Sequence, residues 1–332
     1  MVYTPDIMTL KQHPVIFFAL LLILSLFSFI FAMLTGSVCI PLQELSNLLS
    51  HTASPFYHSL IFDLRLPRAF AAFTAGALLS LAGVLMQVLL RNPLADPYVL
   101  GVSGGSALAA LLSMLAGLGS FWLTGSAFLG ALASIFLVFS FAHSQGGWTI
   151  SRLLLTGIIL ASGWGALISF VLVIAPAERI HGMLFWLMGD LSYNRPVLPS
   201  FIILLLGLAG SLVISRQLNI MLWGDLQAGS LGVDSRKLRT IIFFLSSLLT
   251  AGAISLAGSI GFVGLVIPHL VRLLIGNDHR LLLPASALTG GSLLVIADTM
   301  ARTILAPQQL PVGVLTALIG VPLFLYLLRR SH

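Results

Sequence analysis

Charge is what this chain has least of. Of its 332 residues only 8% are Asp, Glu, Lys or Arg, against about 25% in an ordinary soluble domain. Apolar residues make up 58%, and mean hydropathy is +1.07. A soluble fold of this length has more polar surface to furnish than such a composition supplies. The same numbers exclude disorder. Lysine is scarcer still, with only Lys11 and Lys237, which follow Leu10 and Arg236. A Walker A phosphate loop needs Lys directly after Gly, so an ATP-driven function must borrow its motor from another chain. The single cysteine, Cys39, excludes an intrachain disulfide and a multi-cysteine metal site. The histidines are dispersed, without an H-E-x-x-H or comparable cluster, so no metal site is expected.

What the chain has in abundance is long apolar runs, at 15–36, 67–90, 98–118, 121–142, 152–175, 197–215, 239–258, 260–275, 282–305 and 311–328. A span needs roughly 20 apolar residues. The pattern predicts an all-α polytopic membrane protein of about ten transmembrane helices, with residues 1–332 forming one transmembrane domain. The first run follows Lys11 and His13 and is too long for a signal-peptide core, so it reads as a retained span. The eighth is short and contains Pro268, which predicts a kinked or incomplete span packed inside protein. Ten spans put both termini on one side. If that side is cytoplasmic, eleven of the sixteen basic residues lie inside, and Arg65, Arg68, Arg179, Arg195 and Arg302 lie outside. The opposite orientation inverts the ratio. The basic residues form no stripe with interleaved aromatics, so nucleic acid is not an expected partner.

Two stretches in opposite halves are alike: Thr74-Ala75-Gly76-Ala77-Leu78-Leu79-Ser80-Leu81-Ala82-Gly83 and Thr250-Ala251-Gly252-Ala253-Ile254-Ser255-Leu256-Ala257-Gly258. They fall on spans two and seven, which cross in opposite directions, and predict an inverted internal repeat of spans 2–5 and 7–10. Within the second span Ala72, Gly76, Ser80, Gly83 and Gln87 recur at helical spacing. Such a small-residue face suits close helix packing. Its functional alternative is a substrate path bordered by Gly76, Ser80, Gly83 and Gln87.

Two enzymatic or carrier readings compete with passive packing. Gly101-Val102-Ser103-Gly104-Gly105 matches the G-x-S-x-G nucleophile pattern, and His269 is the histidine inside an apolar run, which together would make an intramembrane serine protease. Against it, Ser103 has no strand before it and sits among residues that suit tight packing. An ion-coupled secondary transporter would want carboxylates inside its spans. Asp298 alone approaches that, and it stands one helical turn before Arg302.

Three segments outside the spans carry polar patterns. Phe62-Asp63-Leu64-Arg65-Leu66-Pro67-Arg68 brings two arginines to the outer end of the second span, with Pro67 suited to a first helical turn. These side chains either snorkel or pair with Asp63, or they form an outward basic patch for an acidic surface. Arg91-Asn92-Pro93-Leu94-Ala95-Asp96-Pro97 predicts a compact, rigid cytoplasmic turn. The loop from Arg216 to Arg239 has Leu222, Leu226 and Leu231 spaced among polar and glycine residues, which predicts short amphipathic helices lying across the inner face.

With these motifs in view, the chain resembles the permease subunits of type II ABC importers for iron chelates and cobalamin. The resemblance rests on Arg65-Leu66-Pro67-Arg68, Arg91 to Pro97 with Gly101-Val102-Ser103, Gly261 to His269 (GFVGLVIPH), Asp278-His279-Arg280 with Leu283-Pro284, and Leu310-Pro311-Val312-Gly313. It implies a transport subunit of the inner membrane that is not itself an enzyme and binds no cofactor. Its partners would be two cytoplasmic ATPases that use ATP, a second permease subunit (identical or a close paralogue), and an extracytoplasmic binding protein. The cargo would be an iron chelate (siderophore or haem) or cobalamin, moved by alternating access. The family's docking arginines fall on Arg65, Arg68 and Arg302, and its coupling helices on Gly224, Asp225, Ala228, Leu231 and Gly232. Where relatives often carry Glu-Ala, this chain has Leu226 and Gln227. Gly229 adds a helix penalty of about 1 kcal/mol relative to Ala, which predicts a shorter or looser lever.

Overall fold

A computed structural model describes residues 13–36, 38, 40–41, 54–143, 148–192 and 195–330. Lys11 and Cys39 fall outside these ranges. Helix α1 spans Pro14–Leu34. Helix α2 spans Pro55–Leu89, beginning well before the expected position 67. Its entry, Pro55–Ser59, passes through a π-helical turn over Leu60–Arg65 before the α-helix proper starts at Leu66. Pro67 has no N–H and its ring crowds the preceding turn. The wider turn, closed by the Leu66 N–H on the Ile61 carbonyl, lets the helix run through that proline unbroken.

After a 3-10 turn, Pro97–Leu100, come α3 (Val102–Leu115), α4 (Ser120–Ala142), α5 (Ile150–Ile174) and α6 (Ala177–Leu187). Then follow α7 (Leu198–Val213), α8 (Ser215–Met221), α9 (Asp225–Ser230), α10 (Ser235–Ala257), α11 (Val263–Ile275), α12 (His279–Ala301) and α13 (Val312–Arg330). No strand occurs among the described residues.

Six helices are long and apolar enough to cross a bilayer: α1, α2, α4, α5, α10 and α12. A seventh span is α7 with α8, bent by 57° between them. The shorter apolar helices α3, α11 and α13 occupy the remaining runs. Helix α6 was not expected. It is short and carries Glu178 and Arg179 in its first turn, yet it buries Met183 and Trp186 completely, and the turn after it is stitched to the C-terminal end of α10 and the start of α13. The stitching bonds are Asp190 N–H to Ala257 O at 2.9 Å and Val312 N–H to Gly189 O at 3.0 Å.

The two halves repeat the same order: a buried helix, a glycine turn, a short helix and two further helices, α2–α5 and α10–α13. Gly101 before α3 has φ 70°, as does Gly258 after α10. The matching threonines bond alike, Thr74 Oγ1 to Phe70 O at 2.8 Å and Thr250 Oγ1 to Ser246 O at 2.7 Å. The two turns meet inside the bundle, where the Tyr98 hydroxyl accepts the Ile260 N–H at 3.1 Å.

Helix α2 is the axis of the fold, packed by α12, α10, α11 and α7. A Cβ on Gly76 would fall 2.2 Å from the Gly290 carbonyl oxygen, and one on Gly83 would fall 1.8 Å from that of Gly264. Pro268 cannot donate to the Gly264 carbonyl, so that oxygen is left to face the bare Cα of α2. Ser80 is fully buried against Gly290, and the buried Gln87 side chain donates to Leu265 O at 3.2 Å. The reading of Gly76, Ser80, Gly83 and Gln87 as a substrate path is therefore corrected. Neighbouring backbone fills the space beside them, and the face is a packing seam.

Candidate functional site

At one end of the bundle, α1, α2, α12 and the segments around Ser192 and Gln309 border a cavity of about 300 Å³. The structure brings Arg65, Arg68 and Arg302 together on its wall, with Arg195, and Asp63 is the one lining carboxylate among the described residues. Each is held from within. Arg65 is 3% exposed and donates to the Met33 and Val38 carbonyls, in space left by the missing side chain of Gly36. Arg68 forms a two-point pair with Asp298, Nε to Oδ2 and Nη2 to Oδ1, both 2.8 Å, and donates to Gln309 Oε1 at 2.9 Å. Arg302 donates to Ala32 O at 2.9 Å, and its Nε lies 3.8 Å from Asp298 Oδ2.

Arg65, Arg68 and Arg302 line a recess and brace α1, α2 and α12 around it. Pairing of Arg68 with Asp63 is replaced by pairing with Asp298, 230 residues away. The expected i,i+4 partnership of Asp298 with Arg302 exists as the longer of its two contacts. A carboxylate engaged by two arginines is a poor ion-coupling site.

At the opposite end, the turn after α2 is as compact as its prolines require. Arg91 adopts φ 49°, the Asn92 side chain accepts the Leu94 N–H at 2.9 Å, and the Asp96 side chain accepts the Tyr98 N–H at 2.7 Å. Pro93 is exposed at its tip, while Pro97 is buried against Gly264. This turn is tied directly to the expected coupling loop. Asp225 Oδ1 lies 2.5 Å from Arg91 Nη2, and Asp225 Oδ2 lies 2.5 Å from Arg239 Nη2 on α10.

Gly224 at φ 99° and Gly232 at φ 78° bracket α9, supplying backbone angles that a residue with a side chain rarely adopts. Ala228 is fully buried, anchoring the little helix, and its carbonyl accepts the Val233 N–H at 2.9 Å. Gly229 lies inside the helical turn with open space around it, so it does not interrupt α9. The opposite face presents Trp223, Leu226 and Leu231, which are 74%, 93% and 65% exposed. The exposed apolar side chains include Leu226, one of the two residues at which this chain departs from the family pattern.

One further contact was missed from sequence. Asn219 on α8 bonds to the start of α12: its Nδ2 donates to Asp278 Oδ1 at 2.7 Å, and its Oδ1 accepts the His279 N–H at 2.9 Å. Partial burial pushes the Asp278 carboxyl up. The Asn219 amide, the Arg280 N–H and the neighbouring Arg280 and His279 outweigh it and hold the group below its ordinary range. Only the Asn-Asp-His identities were visible in sequence, and they lie 60 residues apart.

Ser103 and His269 do not form a dyad. Ser103 lies in the first turn of α3, which packs on α4 and α5, whereas His269 is on α11, which packs on α2 and α12. Nothing in this arrangement supports proteolysis.

The chain is 39% identical over 324 residues to an uncharacterized ABC transporter permease protein, YvrB, of Bacillus subtilis, covering 92% of this chain and 91% of that one. It is 42% identical over 273 residues to the cobalamin import system permease protein BtuC of Halobacterium salinarum, covering 81% and 73%. To the hemin transport system permease protein HmuU of Yersinia pestis it is 38% identical over 306 residues, covering 90% of each. A solved structure described as an inward-facing conformation of an ABC transporter of metal-chelate type superposes with a TM-score of 0.82 at 33% identity, over 95% of this chain and 99% of that one. The FecCD transport family model matches residues 21–330, and the chain belongs to that family of ABC importer permeases.

Proposed function

We propose that this chain is the permease subunit of an importer that carries an iron chelate, haem or siderophore, or else cobalamin, inward across the inner membrane by alternating access. Partner ATPases supply the energy. The observation that carries the reading is the α9 segment, where Trp223, Leu226 and Leu231 stand in solvent while Asp225 clamps the segment to the rigid turn at Arg91 and to α10. An exposed apolar knob on a braced base suits a surface that must be pushed by a partner. The orientation proposed from the basic residues puts this knob and both termini in the cytoplasm.

The arginine-lined recess at the other end suits an acidic surface of a substrate-binding protein. Arg65, Arg68 and Arg302 set its field from the wall, and exposed Leu64 stands at its edge. The lipid-sized apolar face of α5, whose most apolar window is only 11% buried, suits a second permease subunit, so that two copies or a copy and a paralogue enclose the path. Relatives named for cobalamin and for hemin support the class of cargo, and the iron chelate is the reading taken here.

Co-purification tests the reading. The unaltered chain is expected to retain an ABC ATPase subunit in detergent, and Leu226→Glu is expected to lose it while still inserting in the membrane. Retention by Leu226→Glu at the unaltered level would contradict the assignment of the docking face.

A further inference from the structure

Helix α12 is connected at both ends, and by different chemistry. Its outer end carries Asp298 and Arg302, which close the arginine recess against α2 and α1. Its inner end is capped partly by its own Asp278, whose Oδ1 accepts the Arg280 N–H at 3.0 Å, and partly by a residue from another helix. The first N–H groups of a helix have no partner within it. Here the His279 N–H goes to Asn219 Oδ1 of α8, and the same oxygen takes His279 Nδ1 at 2.7 Å. Because Asn219 Nδ2 is already spent on Asp278, the amide orientation is fixed, and the imidazole must carry its proton on Nδ1 to donate. One side chain thus makes three bonds across a helix-to-helix gap.

Asn219 also sits where movement would enter. Helix α8 departs from α7 by 57° and runs, through Leu222 to Gly224, directly into α9 with its exposed Trp223 and Leu226. Between α9 and the body of the bundle, the Asp225–Arg91 ion pair is about 40% exposed on both sides and adds little net energy in water. Two of the three Asn219 bonds are part-buried and end on His279, which is 1% exposed, while the third reaches the exposed Asp278 carboxylate. Set against an ion pair exposed on both sides, two bonds to one buried residue couple α8 to α12 more firmly, so displacement of Asn219 moves the start of α12 or breaks the cap.

We propose that Asn219 is the positioning residue through which displacement of the α8–α9 segment is transmitted to α12, and along α12 to the outer recess. The inference rests on the importer reading above, and the test separates the two. The complex of this chain with its ATPase subunit is labelled with spin probes at Leu118, after α3, and Ile304, after α12, both exposed, with Cys39 replaced. The distance distribution is measured with and without Mg-ATP and vanadate.

The unaltered chain is expected to shift its distribution on adding nucleotide. Asn219→Leu is expected to hydrolyse ATP within about twofold of the unaltered rate, less than ~0.5 kcal/mol of barrier, yet to lose the shift. Asn219→Asp faces the Asp278 carboxylate and is expected to fail similarly. The exchange Asn219→Asp with Asp278→Asn rebuilds a donor opposite an acceptor and is expected to restore the shift, a rescue that mere local packing would not give. A full shift in Asn219→Leu overturns the proposal, as does an exchange variant no better than either single one, a result that stands even where Asn219→Leu fails to assemble. Absence of any shift in the unaltered chain overturns the importer reading and the transmission role with it.

Discussion

Asp298 is 2% exposed and serves two arginines at once, so its removal leaves two cations without their counter-charge. Breaking a buried pair from one side typically costs about 3 to 5 kcal/mol. Asp298→Asn is expected to lower thermal stability in detergent by that order. Asp225 is the contrast: its partner Arg91 is 42% exposed and it is itself 43% exposed. Pairs of that kind contribute about 0 to 1 kcal/mol, so Asp225→Asn is expected to leave the melting temperature nearly unchanged while weakening the brace under α9. Equal losses for the two variants would contradict the distinction drawn here between a structural and a mobile ion pair. Leu64, 63% exposed at the rim of the recess, tests the docking surface without disturbing its brace. Leu64→Glu is expected to weaken binding-protein affinity by about tenfold, equivalent to ~1.4 kcal/mol, measured by titration onto the detergent-solubilised complex. Unchanged affinity would place docking elsewhere.

Among elements, α2 shows most clearly what an amino-acid pattern conveys and what it withholds. Its small residues at helical spacing announce a close approach, but the pattern is the same whether the neighbour is a helix of the same chain or a passing ligand. The structure decides through two backbone carbonyls, those of Gly290 and Gly264, standing where Cβ atoms would go. Gly83→Ala is expected to force α2 and α11 apart and to abolish stable insertion. Gly163→Ala on α5 meets nothing within 4 Å. It is expected to be neutral or to gain up to about 1 kcal/mol of helix propensity. Comparable yields of folded protein from both variants would overturn the seam. Most span positions were legible because their apolar runs approach or exceed the roughly 20 residues a span needs. Helix α6 was not, since 11 residues opening on Glu178 and Arg179 read as a loop until Trp186 is seen buried. The extension of α2 back to Pro55 was hidden for a similar reason: a π turn leaves no mark in hydropathy.

Across the molecule, the scarcity of charge that marks the membrane class also makes the ends of the bundle readable. Arg65, Arg68 and Arg302 meet at one recess at one end of the bundle, and Gly224 to Gly232 form one braced segment at the other. What sequence spacing could not reveal is which charges pair, because Arg68 and Asp298, or Arg91 and Asp225, meet only once the helices have packed. Nor could it show the link between Asn219 and Asp278, which joins the two ends through α12. The central claim is that force applied by a partner at α9 drives passage through this subunit. It is tested most directly by the initial rate of radiolabelled iron(III)-chelate uptake into vesicles holding the chain with its ATPase and binding protein. The account predicts uptake that requires ATP and falls by at least about tenfold in Leu226→Glu, the consequence of ~1.4 kcal/mol or more of lost docking. Uptake that proceeds equally without ATP, or equally in Leu226→Glu, would contradict it.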